Sequence, residues 1–212
     1  MTRAGYLTLI DHYESCLAAH GDSHRGVDWP NAADAETRYR VMLDVIDAPT
    51  TQNVSLLDFG CGAAHLYEYI GRRNRANIEY VGLDGSRKFV SLCQQKFPEI
   101  SFHCMDVLAD DTPLPQVDYV VMNGVFTEKR ALTFQEMWTH TQQLLERVFQ
   151  AARIGIAFNV MSKHVDWERD DLFHLPFDVL AEFLRRKLSR HFRFRADYGL
   201  YEFTTYVYRE PR

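Results

Sequence analysis

The 212-residue sequence predicts an α/β fold built on a mostly parallel sheet, and three observations support this prediction. From residue 54 onward, short β-type runs alternate with segments of helical periodicity, which is the pattern of βαβ units. Hydrophobic residues make up 46% of the chain and charged residues 25%, as in an ordinary globular protein, which excludes a disordered chain. The length exceeds that of one typical domain only modestly, so we expect a single domain.

Two helices are expected before the first strand. Apolar residues recur every three to four positions over 4–19 and 32–46, which predicts amphipathic helices, and Asn31 can cap the second. Ser86 and Thr133 can cap two later helices in the same way. The helices expected between strands cover about 64–73, 86–97 and 133–151.

Five strand-like runs are expected to form the parallel part of the sheet. They are VSLLDF, IEYVGLD, ISFHC, VDYVVM and RIGIAFNV. A loop over about 161–175 follows the fifth run, and residues 177–190 show helical periodicity. Two final runs flank Gly199-Leu200, which predicts a closing antiparallel hairpin.

Charge and cysteine usage exclude several classes of protein. Asp and Glu number 29 against 24 Lys and Arg, and the resulting formal charge of −5 is unfavourable for binding nucleic-acid phosphates. The four cysteines form no C-x-x-C pair, which favours free thiols in a reducing compartment. No stretch approaches the roughly 18 apolar residues of a membrane span, and the N-terminus lacks a signal-peptide core. We therefore predict a cytoplasmic protein that binds neither nucleic acid nor membrane.

A glycine-rich turn follows the first predicted strand, where Asp58, Gly60, Gly62 and Ala64 occupy alternate positions. Glycine lets the backbone approach a ligand closely, and the next helix begins with unpaired N–H groups, so a nucleotide-type ligand is expected. In a dinucleotide fingerprint the third small residue would stand at position 65, which is His65 here. This mismatch counts against a nicotinamide cofactor.

The D-x-G-x-G-x-A pattern resembles motif I of the class I S-adenosylmethionine-dependent methyltransferases, and the resemblance extends over about residues 54–160. Asp84 ends the second strand, where a carboxylate can accept hydrogen bonds from both ribose hydroxyls of an adenosine. The resemblance implies that Asp106 faces the adenine amino group and that residues 123–126 border the methyl group. It also implies a Rossmann-like, three-layer sandwich with a seven-stranded sheet, order 3-2-1-4-5-7-6, in which strand seven is antiparallel.

A narrower resemblance, to a subgroup of small bacterial methyltransferases often found with polysaccharide biosynthesis genes, rests on HGDSHRGVDW, NGVFTEK, IAFNVMS and YGLYEFT. The family implies S-adenosylmethionine as the cofactor. The residues expected to bind it are Asp58, Gly60, Cys61, Gly62, Ala64, Asp84, Gly85, Met105, Asp106, Val107, Asn123, Arg38 and Trp29.

Arg38 and Trp29 lie upstream of the glycine loop. The Arg38 guanidinium can bind the methionine carboxylate bidentately, or it can pair with Asp34 on the surface of its own helix. The Trp29 indole can stack on a ligand or anchor the core.

Methyl transfer from a sulfonium is an in-line displacement, so the protein mainly has to align the acceptor atom. A hydroxyl acceptor benefits from a base, and His164 and His174 are candidates because the loop 161–175 follows the carboxyl end of a strand. The alternative is a solvated loop. The histidine and acidic residues of the loop 161–175 show no ordered metal-ligand spacing, so no metal is predicted. The basic run 185–195 is either a solvated face or a surface that attracts a nucleotide-linked acceptor.

We therefore predict an enzyme that uses S-adenosylmethionine to methylate a small-molecule or sugar-like acceptor at oxygen or nitrogen. The alternatives are a non-catalytic protein that binds S-adenosylmethionine and a nicotinamide-dependent oxidoreductase, against which His65 and Asp106 count. The expected single domain, 1–212, comprises an N-terminal helical cap (1–50), a cofactor-binding core (51–160) and an acceptor loop, helix and closing hairpin (161–212).

Overall fold

The computed structural model describes residues 3–46, 52–110 and 112–212, and their fold is α/β. The helices are α1 (Arg3–His20), α2 (Ala32–Leu43), α3 (His65–Arg72), α4 (Arg87–Lys96), α5 (Phe134–Ala151) and α6 (Phe177–Lys187), with a 3₁₀ helix (His24–Val27) between α1 and α2. The strands are β1 (Val54–Phe59), β2 (Ile78–Asp84), β3 (Phe102–Cys104), β4 (Val117–Phe126), β5 (Ala152–Ser162), β6 (His174–Leu175), β7 (His191–Arg195) and β8 (Glu202–Tyr208).

The sheet has the order β3-β2-β1-β4-β5-β8-β7. The strands from β1 to β5 pair in parallel, whereas β8 runs antiparallel to both β5 and β7. This arrangement confirms the expected strand order and the reversed last strand. The count of seven was one too low, because β6 pairs with the end of β5 within the expected loop 161–175. Both residues of β6 are buried, which explains why this part of the loop is extended.

Two apolar clusters, one on each face of the sheet, make the fold a three-layer sandwich. Leu57, Val120 and Phe158 belong to the cluster that also contains apolar residues of α5 and α6. Their strand neighbours Leu56 and Val121 belong to the other cluster, with residues of α2, α3 and α4. Side chains alternate between the faces of a strand, so a strand covered on both faces is apolar at successive positions.

Local signals set the helix starts. Asn31 accepts a hydrogen bond from the N–H of Asp34 at 2.8 Å, and Ser86 accepts one from Phe89 at 3.4 Å. Thr133 forms a reciprocal capping box with Glu136. These three N-caps are confirmed. The helices predicted over 32–46 and 177–190 end earlier, at residues 43 and 187.

Helix α1 reaches across the carboxyl ends of the parallel strands. Its Tyr13 hydroxyl donates to the carbonyl oxygen of Gly124 at the end of β4, at 3.1 Å. Farther along the sheet, the Ser86 hydroxyl donates to the Glu14 carboxylate at 2.6 Å. The N-terminal segment therefore covers the edge where ligands bind in open α/β sheets. Within the described residues, no helix combines the length and apolarity needed to cross a membrane.

Candidate functional site

A cleft lies between the carboxyl ends of the strands and the N-terminal segment. Its lining from the strand ends and the following turns includes Asp58, Gly60, Cys61, Gly62, Asp84, Gly85, Met105, Asp106, Val107 and Asn123. Its lining from the N-terminal segment and from α5 includes Tyr6, Ile10, Tyr13, Val27, Trp29 and His140. Most of the predicted site residues therefore share one cavity, although they are dispersed along the sequence.

The glycine loop after β1 forms the floor of the cleft. Gly60 and Gly62 adopt φ values of +72° and +52°, a left-handed conformation that favours glycine. A Cβ on Gly60 would lie 2.7 Å from Cγ2 of Val125, so a larger residue would displace the neighbouring strand end. Ala64 also has a positive φ, of 59°, but it is fully buried at the start of α3 and does not line the cleft.

The Asp84 carboxylate is held in place by two backbone N–H groups. Its Oδ2 accepts from Gly62 at 2.9 Å and its Oδ1 accepts from Ser86 at 2.8 Å. A carboxylate offers about four lone-pair sites, so one further site remains on each oxygen. Burial raises the pKa of Asp84. An oriented carboxylate with two vacant acceptor sites matches the two vicinal hydroxyls of a ribose.

Asp58 lies deeper, at the end of β1. Its carboxyl group is buried and accepts a hydrogen bond from the Tyr80 hydroxyl at 2.7 Å. Burial raises the pKa of Asp58 to about 7, and the hydrogen bond from Tyr80 opposes this increase. Asp58 therefore titrates near neutral pH in the ligand-free protein.

Asp106 interacts with two aromatic residues that the sequence analysis missed. The Tyr6 hydroxyl lies 2.9 Å from both carboxylate oxygens of Asp106, and the Tyr6 ring stacks on His140 with ring centroids 5.0 Å apart. Burial lowers the pKa of His140 to about 4, so its ring is neutral at pH 7. The only sequence signal was the spacing of Tyr6, Ile10 and Tyr13, which places them on one face of α1.

The end of β4 forms the other wall. Gly124 has a φ of +83°, its N–H donates to Oδ1 of Asn159 at 2.7 Å, and its carbonyl accepts from Tyr13 and Thr127. The neighbouring Asn123 lines the cleft, and its Oδ1 is buried with no hydrogen-bond partner among the described residues. The strand end is thus rigidly held and presents one unsatisfied acceptor.

Comparison with known proteins relates this chain to methyltransferases. Residues 57–155 match the methyltransferase domain family. A protein of Mycobacterium tuberculosis, Rv1506c, whose name assigns it provisionally to the methyltransferases, is 29% identical over 158 residues, which cover 72% of this chain and 92% of that protein. These two matches support a class I S-adenosylmethionine-dependent methyltransferase. Both matches favour a methyltransferase over the nicotinamide-dependent alternative.

Solved structures support the fold of the methyltransferase. Magnesium protoporphyrin IX methyltransferase from Synechocystis, with bound S-adenosylhomocysteine, aligns with a TM-score of 0.63 at 15% identity over 97% of each chain. Human N-acetylserotonin methyltransferase, with bound S-adenosylmethionine, aligns with a TM-score of 0.60 at 14% identity, over 99% of this chain and 66% of that one. Both neighbours were crystallised with S-adenosylmethionine or S-adenosylhomocysteine, which supports S-adenosylmethionine as the cofactor.

The residues of the cleft fit this cofactor. Asp84 offers two acceptor sites for the ribose, and Gly60 and Gly85 line the cleft without side chains of their own. A Cβ on Gly85 would lie 2.9 Å from Cδ1 of Ile10, so the cleft is narrow there. When bound, the cofactor supplies a methyl group on a positively charged sulfur. The protein has to orient that group toward an acceptor and exclude water.

Arg38 lies behind the cleft wall of the methyltransferase and does not line the cleft. Its Nε and Nη2 contact Oε2 of the buried Glu202 at 2.9 and 2.7 Å, and Oε1 of Glu202 accepts from Asn159 at 2.8 Å. The guanidinium also lies 4.2 Å from the ring centroid of Trp29. The alternative surface pairing with Asp34 is wrong. Arg38 supports Trp29 and the β4 end, and only its Nη1 lacks a partner among the described residues.

The two histidines predicted as bases lie outside the cleft of the methyltransferase. His174 is buried, with Nδ1 2.7 Å from the carbonyl oxygen of Ser162 and Nε2 accepting the N–H of Arg169 at 3.3 Å. His164 is exposed and stacks on Phe177. Both ring nitrogens of His174 are engaged, and neither histidine reaches the cleft. This placement argues against a general-base role for either residue.

Proposed function

We propose that this methyltransferase transfers the methyl group to a hydroxyl or amine of a small, sugar-like acceptor. The observation that carries this proposal is Asn123, a residue that lines the cleft and whose buried Oδ1 has no hydrogen-bond donor among the described residues. Leaving a buried acceptor unsatisfied costs about 1–3 kcal/mol. An O–H or N–H group on a ligand removes that cost, whereas an apolar carbon acceptor does not.

The walls beside Asn123 favour a small acceptor with both polar and apolar surfaces. Tyr13 and Trp29 line the same end of the cleft, and the Tyr13 hydroxyl is anchored to the Gly124 carbonyl. A Cβ on Gly124 would lie 2.8 Å from the Trp29 ring, so the indole packs directly on the strand end. Aromatic walls with a few convergent polar groups are typical of small-molecule sites. A sugar ring offers apolar C–H faces to the walls and hydroxyls to Asn123.

The chemistry in this proposal depends on alignment. A rigid acceptor position can supply about 7–11 kcal/mol of the barrier through orientation alone. The Gly124 carbonyl accepts hydrogen bonds from Tyr13 and Thr127, and the Gly124 N–H donates to Asn159. These bonds hold the strand end that carries Asn123. Two structural neighbours, named for their action on magnesium protoporphyrin IX and N-acetylserotonin, are consistent with a small-molecule acceptor.

The test uses S-adenosylmethionine labelled with ¹³C in its methyl group and a fractionated extract of small metabolites. We expect the label in small polar molecules, with the carbon chemical shift of an O-methyl or N-methyl group. Label in protein, in nucleic acid or at a C-methyl position would contradict the proposal. Asn123→Ala should raise KM for the acceptor and leave the Kd of S-adenosylhomocysteine unchanged, whereas a higher Kd would place Asn123 at the cofactor. Asn77→Ala is the matched control, because Asn77 directly precedes β2, at the end of the sheet opposite to the cleft.

A further inference from the structure

Three potential metal ligands meet between α1 and the turn that follows the 3₁₀ helix. His12 and Cys16 lie one helical turn apart on the same face of α1, and Asp28 follows the 3₁₀ helix directly. Nε2 of His12 lies 2.7 Å from Oδ2 of Asp28 and 3.8 Å from Sγ of Cys16. One ligand atom from each residue lies within 4.8 Å of the other two.

We propose that His12, Cys16 and Asp28 form a binding site for a transition-metal ion of the zinc class. Zinc binds sulfur at about 2.3 Å and nitrogen or oxygen at about 2.0–2.2 Å, so tetrahedral ligand atoms lie about 3.3–3.6 Å apart. The distance between His12 and Cys16 is already close to this value. Binding would separate His12 from Asp28 by about 0.6 Å and draw Cys16 toward them, which are side-chain adjustments.

The chemistry of the ligand set favours zinc over magnesium or calcium. Thiolate, imidazole and a single carboxylate suit a borderline-soft ion, whereas magnesium and calcium require a shell of oxygens. Nε2 of His12 contacts both the Asp28 carboxylate and, at longer range, the Cys16 thiol, and a metal ion would engage all three side chains through one atom each. The H-x-x-x-C spacing at 12–16 is the sequence signal for this site, which differs from the expectation that the protein binds no metal.

The backbone holds Asp28 in place while solvent can reach the cluster. Asp28 adopts a left-handed φ of 60°, and its N–H donates to the carbonyl oxygens of His24 and Arg25. The Ser23 hydroxyl caps the start of the same short helix. The side chains of His12 and Asp28 are 18% and 36% exposed, so an ion can enter and a fourth coordination position can remain open.

The cluster adjoins the β4 end of the cleft. Tyr13, which follows His12, bonds to the Gly124 carbonyl, and Trp29, which follows Asp28, packs on Gly124. Three protein ligands with an open position are typical of zinc ions that bind a substrate atom. His12, Cys16 and Asp28 do not themselves line the cleft, so the open position would reach an oxygen or nitrogen of the acceptor only beside Tyr13 and Trp29, and this role rests on the proposed function.

The experiment uses the full-length protein, stripped with a chelator and titrated with Co²⁺, a spectroscopic substitute for zinc. We expect one Co²⁺ per chain, with a near-ultraviolet thiolate-to-cobalt charge-transfer band that zinc displaces. Cys16→Ser should abolish the band and weaken Co²⁺ binding at least about tenfold, and His12→Ala should weaken binding likewise. Cys104→Ser is the matched control, because Cys104 is exposed and distant in sequence from the cluster, so it should keep the band. Thermal unfolding of each variant shows whether it is folded.

The outcomes separate metal binding from the proposed function. Absence of a thiolate band in the folded wild-type protein, or an unchanged band in folded Cys16→Ser, would overturn the metal site, whichever acceptor is methylated. A saturable band together with equal acceptor KM and kcat in zinc-loaded and stripped protein would overturn only the acceptor role. Neither measurement of metal binding uses methyl transfer, so failure of the proposed acceptor class would leave the cobalt result intact.

Discussion

Replacement of Asp84 tests the cofactor site most directly. Its two backbone hydrogen bonds, from Gly62 and Ser86, leave one acceptor site on each carboxylate oxygen for the ribose hydroxyls. A hydrogen bond to a charged group contributes about 1.5–3 kcal/mol, and the two bonds to one ribose are not additive. We therefore expect Asp84→Ala to weaken S-adenosylhomocysteine binding by about 10- to 100-fold.

Asp84→Asn refines this test. The amide keeps one oxygen acceptor but places an NH₂ group opposite the backbone N–H of Gly62 or Ser86. Both of these groups are donors, so that hydrogen bond is lost. The expected order of affinity is wild type, then Asp84→Asn, then Asp84→Ala. Glu36→Gln is the control, because Glu36 forms an exposed ion pair with Arg72 away from the cleft, and it should bind as the wild type does.

Calorimetry with 5′-methylthioadenosine and its 2′-deoxy analogue identifies the contact itself. The wild-type protein should prefer the ribose form, and Asp84→Ala should bind the two forms about equally, because the group that distinguishes them is gone. Thermal unfolding confirms that each variant is folded. A folded Asp84→Ala protein with unchanged affinity, or one that still prefers ribose, would refute the assignment of Asp84 to the ribose.

Three further predictions concern buried polar groups. The pKa of Asp58 is raised to about 7 from 3.8, so the folded state binds its proton more tightly and this residue lowers stability progressively between about pH 4 and pH 7. Asp58→Asn should therefore gain stability relative to the wild type as pH rises over that range in urea unfolding, and a constant difference would contradict this. Glu202→Gln should lower the free energy of unfolding by about 3–5 kcal/mol, because it leaves the buried Arg38 charge without its partner. A loss below about 1 kcal/mol in a denaturant titration would show that the Arg38–Glu202 ion pair contributes little to stability. His174→Ala should lower Tm and keep kcat within about threefold of the wild-type value, and His164→Ala should leave both Tm and kcat nearly unchanged. A loss of about 10²-fold or more in kcat with either variant would show that this histidine acts as a general base.

The glycine loop and the carboxylates at the strand ends were predictable because their signals are local. An apolar run predicts a buried strand, and glycines after it predict a backbone that needs positive φ, whatever the rest of the chain does. Asp84 ends its strand, Gly60, Gly62 and Asp106 lie within three residues after theirs, and the carboxyl ends of parallel strands share one edge of the sheet. Sequence position alone therefore placed these four residues in one cleft.

The partners of Arg38, Asp106 and Gly124 depend on packing and have no local signal. Glu202 is 164 residues from Arg38, Tyr6 is 100 residues from Asp106, and Tyr13 is 111 residues from Gly124. These contacts arise because α1 and α2 pack onto strands formed much later in the chain. Burial of apolar surface holds these helices and strands together. Its free energy depends on how closely the assembled faces fit, which residue spacing along the chain does not show. The strand ends and the glycine loop follow from local sequence, whereas the partners of Arg38, Asp106 and Gly124 follow from tertiary contacts.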